Sequence, residues 1–155
     1  MNGKQIIIAV AAIWDKRKGL DDIIGLSKII DGQIIVVGLD EKQKDIIPSS
    51  IIAFSRTDSV EELRQLYSIA DVFINTTYED NYPTTNLEAS CCGTPVITYR
   101  TGGSPESVPA AQVVNKGDLD SVIQNIMKND LKVMSSDDFD KFTMEKSYLC
   151  IYNDY

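Results

Sequence analysis

The chain has 155 residues, 43% of them hydrophobic and 25% charged, enough for one domain with a full core. Its net charge of −8 argues against a nucleic-acid footprint or a polybasic membrane surface, so an anion would have to be held at a local site. It contains no histidine, which removes Ser-His-Asp and Cys-His nucleophile systems and most zinc sites.

Gln5 to Ala12 is a continuous β-branched apolar run, the mark of a strand buried on both faces. Trp14 to Gly19 breaks it with three consecutive cations, Lys16-Arg17-Lys18. Leu20 to Ile30 has helical spacing, with Leu20, Ile23, Ile24, Leu26, Ile29 and Ile30 on one broad face. Gln33 to Val37 is a second buried strand, about Glu41 to Ile46 a short helix, and Ile51 to Phe54 a third strand. Ser59-Val60-Glu61-Glu62 is a capping box that opens a helix to about Ile69, with Leu63, Leu66, Tyr67 and Ile69 inward.

Asp71 to Asn75 is the fourth strand, Thr84 to Cys92 a helix stopped by Gly93, and Pro95 to Tyr99 the fifth strand. A short helix near Ser104, a short strand at Gln112 to Val114 and an amphipathic helix over Asp118 to Met127 follow. The aromatic, charged tail from Ser135 to Tyr155 predicts one or two further helices. Strand and helix alternate throughout. The expectation is a Rossmann-like three-layer α/β/α sandwich with a mostly parallel sheet, a single domain over residues 1–155. The loops at 13–19, 55–58, 76–83 and 100–105 all follow strands and should gather at one sheet edge, where such folds bind ligands.

Those loops carry the chemistry. Lys16-Arg17-Lys18 either neutralises a diphosphate or is a solvated turn; Lys18, before Gly19, is the cation best placed to point inward. Pro83 suits a first helical turn, and Thr84, Thr85 and Asn86 then present open backbone N–H groups, an anion site. Glu88 lies one turn on, among small residues typical of a buried helix, and a buried Glu needs partners. It would accept from vicinal hydroxyls such as a ribose, and Asp80 from a second sugar. Alternatively, the two are a dipole-favouring acid and a surface acid. Gly102-Gly103 allows close backbone approach or forms a plain turn. No GxGxxG or GxxxxGK[ST] motif occurs and no metal spacing is apparent, so neither a dinucleotide cofactor nor a required metal is expected. Cys91, Cys92 and Cys150 read as buried thiols of a reducing cytoplasm. With no run of about 18 apolar residues and no leader before the first strand, the expected location is cytoplasmic.

The run from Glu79 through Pro83, Asn86, Glu88 and Ala89, continuing by Cys92-Gly93-Thr94-Pro95 to Gly102-Gly103-Ser104-Pro105-Glu106, closely resembles the donor-site signature of glycosyltransferase family 4. The likeness is strongest to the bacterial branch that builds capsular, exopolysaccharide or O-antigen chains. It implies the C-terminal, nucleotide-sugar-binding half of a two-domain GT-B fold that transfers with retention and without a metal from a UDP- or GDP-sugar. The acceptor would be a growing surface polysaccharide or a lipid-linked one, and the full protein could sit at the inner membrane face. The resemblance assigns donor-sugar contact to Asp80, diphosphate contact to Lys18, ribose contact to Glu88, sugar and phosphate contact to Asn81, Tyr82, Thr84, Thr85 and Asn86, and the border of the base to Arg56 and Thr57. Asp80 and Lys18 are the residues it places nearest the chemistry. The first acid is Asp where the family has Glu, and the family's arginine is Ile13 here, so Arg17 or Lys16 would have to substitute. The donor domain would span residues 4–134. The tail at 135–155 would cross back to an absent N-terminal acceptor domain or pair two copies. A nucleotide-sugar epimerase, a phosphorylase and a non-catalytic α/β binding module are the rival readings.

Overall fold

The computed structural model describes residues 4–135 and Asp138. The expected tail helix or helices, the crossover and any pairing through them lie outside those residues. The elements run β1 (Gln5–Val10), α1 (Leu20–Ser27), β2 (Gly32–Val37), α2 (Glu41–Ile46), β3 (Ile51–Phe54), α3 (Val60–Ile69) and β4 (Val72–Asn75). They continue with α4 (Thr84–Cys91), β5 (Val96–Tyr99), α5 (Ser104–Ser107), β6 (Gln112–Val114) and α6 (Leu119–Lys128).

The six strands form one parallel sheet in the order β3-β2-β1-β4-β5-β6. Alternate residues of each strand enter opposite layers, which is why the strand sequences are apolar without alternation. Ile7, Ala9, Ile34, Val36, Val72, Ile74 and Ile97 pack with Ile23 and Leu26 of α1 and Val122 and Ile126 of α6. Ile8, Ile35, Val37, Phe73 and Val96 pack on the other face with Tyr67 of α3 and Ala89 of α4. The fold is therefore the Rossmann-like α/β sandwich that the alternation predicts.

Several local expectations are corrected. α1 ends at Ser27, so Ile29 falls in the following turn and is exposed, as is Ile69 at the last position of α3. The Ser59 hydroxyl does accept the Glu62 N–H, but the Glu62 carboxylate takes the amide of Asp58 instead of closing the box on Ser59. A complete capping box stands instead at α2, where Asp40 and Gln43 bond each other's backbone. Gln43 also donates to the Trp14 carbonyl, which fixes the loop after β1.

The chain leaves β1 toward β2 and β3, then returns to the other side of β1 and builds outward through β4, β5 and β6. The loops after β1 and β4 thus leave neighbouring strands in opposite directions. The crevice this opens at the strands' C-terminal ends is where open α/β sheets bind ligands.

Candidate functional site

The loop after β1 is laid against the loop after β4 and fastened there through its backbone. Tyr78 N–H donates to the Arg17 carbonyl at 2.6 Å. Thr76 Oγ1 donates to the carbonyls of Lys18 and Gly19, both at 3.0 Å, and Thr77 Oγ1 to that of Arg17 at 3.3 Å. Gly19 is in the left-handed region (φ 71°), and a Cβ there would stand 2.2 Å from the Thr76 carbonyl oxygen, so only glycine lets the strands' exits touch. The sequence signal for this fastening is Thr76-Thr77 directly after a buried strand, a pattern not singled out above.

The acid loop is held from its other side. Gly102 (φ 46°) lies where a Cβ would be 1.8 Å from the Asp80 carbonyl oxygen, and Gly103 N–H donates to that carbonyl at 3.3 Å. The close approach that the glycine pair permits is thus made by the protein's own backbone. Tyr78 and Tyr99 both donate to Asp22 Oδ2 at 2.7 Å, tying the loop to α1 and β5. The hydrogen bond to Asp22 pushes the Tyr78 phenol up to about 12, and burial raises Tyr99 first of all, so both remain donors at neutral pH.

Between these loops opens a cleft of about 330 Å³ lined by Ile13, Arg17, Lys18, Asp80, Tyr82, Pro83, Thr84 and Thr85, among others. Lys18 Nζ and Asp80 Oδ2 are 2.7 Å apart on its wall. Asn81 borders a smaller hollow beside it, with Arg17, Lys18 and Asp80. No side chain caps α4, so the Thr84 and Thr85 amides at its first two positions stay open to the cleft those residues line. Cation, acid and helix start therefore come together at one cleft.

Other predicted residues do not join them. Asn86 N–H donates to the Pro83 carbonyl at 3.2 Å, so it is not a third open amide. Its side chain is fully buried and bonded to Asn75, Thr98 and Ser107 as a packing hub. Arg56 and Thr57 follow β3, the edge strand two places from β1, and do not line the cleft. The Arg17 guanidinium bonds Asp15 at the exposed rim. Ile13, where a family arginine would stand, is 72% exposed. Among the described residues, no three His, Cys, Asp or Glu side chains gather as a metal-binding group, and no helix is long and apolar enough to cross a membrane.

Glu88 on α4 is half-buried and does not line the cleft. Tyr67 OH donates to its Oε2 at 3.0 Å, a partner that sequence reasoning missed. Burial raises its pKa, opposed by hydrogen bonds from Tyr67 and from Thr84, which itself lines the cleft. An acid whose pKa rises on folding costs stability once it is charged. The cost is absent below its ordinary value of 4.5, where both states are neutral, and complete above the raised folded value. Glu88→Gln should therefore raise the urea midpoint at pH 7 and leave it unchanged at pH 4. A lower midpoint at pH 7 would show that the charged carboxylate is stabilised in place.

Residues 4–129 match the family described as glycosyl transferases group 1. This chain belongs to that family. It is 32% identical over 109 residues to the alpha-galactosylglucosyldiacylglycerol synthase of Streptococcus pneumoniae (strain ATCC BAA-255 / R6), a match that covers 63% of this chain and 29% of the relative. It is 38% identical over 115 residues to the D-inositol 3-phosphate glycosyltransferase of Corynebacterium jeikeium (strain K411), covering 70% and 26%. The sucrose-phosphate synthase of Thermosynechococcus elongatus superposes with a TM-score of 0.65 at 25% identity, covering 81% of this chain and 36% of that one. WaaG, a glycosyltransferase of lipopolysaccharide biosynthesis, does so with a TM-score of 0.65 at 22% identity, covering 82% and 39%, a likeness of fold. The chain thus spans between a quarter and a third of the length of these two curated relatives.

Proposed function

We propose that this chain is the nucleotide-sugar-binding half of a retaining glycosyltransferase of the GT-B architecture. One observation carries the reading. At the sheet's switch point, a cation from the β1 loop, an acid from the β4 loop and an uncapped helix N-terminus converge on one cleft. A sugar diphosphate nucleotide carries groups for all three: phosphates for Lys18 and the α4 amides, and hydroxyls for Asp80. Glu88, which bonds the cleft-lining Thr84 and keeps part of its surface exposed, would accept directly from the nucleoside's vicinal hydroxyls.

In transfer, charge grows on the diphosphate as it leaves the sugar. The fixed α4 amides meet that charge without rearranging, and Lys18 adds its ammonium once the bound diphosphate has drawn it from Asp80, which is the main lever this half can supply. No metal is needed for that role. The acceptor site and any catalytic base would belong to the absent N-terminal half. The first relative's name, a diacylglycerol glycolipid synthase, favours a lipid-linked acceptor handled at the inner membrane face over a polysaccharide end.

Titration with UDP, GDP, UDP-glucose and GDP-mannose tests the reading. Saturable binding by one base series is expected, weakened in Glu88→Gln even though that variant gains stability at neutral pH. Absence of binding to all four ligands would overturn it. So would full binding by the Gln variant, as far as Glu88's role is concerned.

A further inference from the structure

Within the cleft the cation and the acid are bonded to each other. The Lys18 and Asp80 side chains are 29% and 19% exposed, and their 2.7 Å contact is sheltered from most of the solvent. The two ends of the pair differ in freedom. Asp80 is fixed three ways: its Oδ1 accepts the Tyr82 N–H at 3.1 Å, its carbonyl accepts the Gly103 N–H, and Gly102 packs against the same carbonyl. Lys18 reaches it on a flexible four-carbon stem with three rotatable donors. When the pair opens, Lys18 moves and Asp80 stays.

We propose that this ion pair competes with the ligand's diphosphate for Lys18, and so makes the site prefer an intact nucleotide sugar to the bare nucleoside diphosphate. The inference rests on the donor-site reading above. A diphosphate draws the ammonium away and leaves a carboxylate beside the new anion, with only the Tyr82 amide as its remaining bond among those described. A sugar hydroxyl donates to that carboxylate and replaces what it lost. A bare nucleoside diphosphate places no hydroxyl there, so two like charges face one another in a partly desolvated cleft. Bare nucleotide is then held more loosely than Lys18 alone would allow. Once transfer has removed the sugar, return of Lys18 to Asp80 favours release.

Asp80→Asn keeps the shape and an acceptor for Tyr82 but removes the competing charge. By isothermal titration, its affinity for UDP or GDP should rise about three- to tenfold, the worth of a partly buried pair. The advantage of UDP-glucose over UDP, or of GDP-mannose over GDP, should shrink in step. Unchanged or weaker binding of the bare nucleotide, in a variant that melts like the native chain, overturns the proposal while leaving the donor site intact. Should the native chain bind none of the four ligands, the functional reading fails and takes this inference with it. If Asp80→Asn melts early, Asp80→Ser titrated with inorganic pyrophosphate asks the same question, with tighter binding expected and unchanged binding decisive against.

Discussion

Asn86→Leu should cost the chain about 3 kcal/mol, seen as a lower urea midpoint at unchanged slope. Leucine has asparagine's number of side-chain heavy atoms but is bulkier, so no cavity opens and crowding at this fully buried site adds to the loss. The rest comes from partners left unpaired. Asn86 Nδ2 donates to Ser107 Oγ at 2.9 Å and to Thr98 Oγ1 at 3.3 Å, and its Oδ1 accepts from Asn75 Nδ2 at 2.8 Å. Thr98 and Ser107 are wholly buried, and each stranded buried group costs about 1–3 kcal/mol. Ser107 keeps its bond to the Ser104 carbonyl and Asn75 is half-buried, so the total stays below the simple sum. The one side chain links α4 to β4, β5 and α5, so its loss should also loosen the helix start at the cleft. A Leu variant within about 0.5 kcal/mol of native, the range of neutral surface changes, would show that the network is slack.

Lys18→Met should weaken nucleoside diphosphate binding about 10- to 100-fold, the worth of one charge-assisted hydrogen bond of roughly 1.5–3 kcal/mol. Met keeps the apolar stem and removes the ammonium. The variant loses the ammonium's contact with the diphosphate but has no ion pair to break on binding, which keeps the loss within that range. Its melting point should move little, because Asp80 retains the Tyr82 amide. Native binding should weaken with added salt and the variant's less so. Equal affinities would move the diphosphate away from Lys18. Arg17→Gln is expected to do less, since that guanidinium is already engaged by Asp15 at the rim. Lys18→Met and Asp80→Asn thus shift bare-nucleotide affinity in opposite directions, although both break the same contact.

The sandwich was legible because strands buried on both faces have to be apolar along their whole length, as in Gln5–Val10 and Gly32–Val37. What the pattern does not encode is pairing. Nothing in the residues of β4 says that it lies beside β1, and that adjacency is what brings Asp80 to Lys18. Helix position alone predicts an open Asn86 N–H, but the first turn closes it on the Pro83 carbonyl and burial takes the side chain inward. Its neighbour Leu87, fully buried, was the available hint. Arg56 and Thr57 were placed by resemblance, and they follow an edge strand. The exposed Ile29 and Ile69 mark where helical periodicity was extended past or up to a helix end. The partner of Glu88, Tyr67, sits on another helix 21 residues earlier, a separation that no local pattern spans.

The bonds that join the two loops have a further consequence. Those made by Thr76, Thr77 and Tyr78 end on the main-chain carbonyls of Arg17, Lys18 and Gly19. Every amino acid carries a carbonyl, so the wall's outline does not depend on which side chains stand at 16, 17 and 18. Substitution can rewrite the cleft's charge while its contour is inherited unchanged. Such a scaffold can change the anion it favours by single replacements, and an isoleucine can stand at position 13 without deforming the wall it lines.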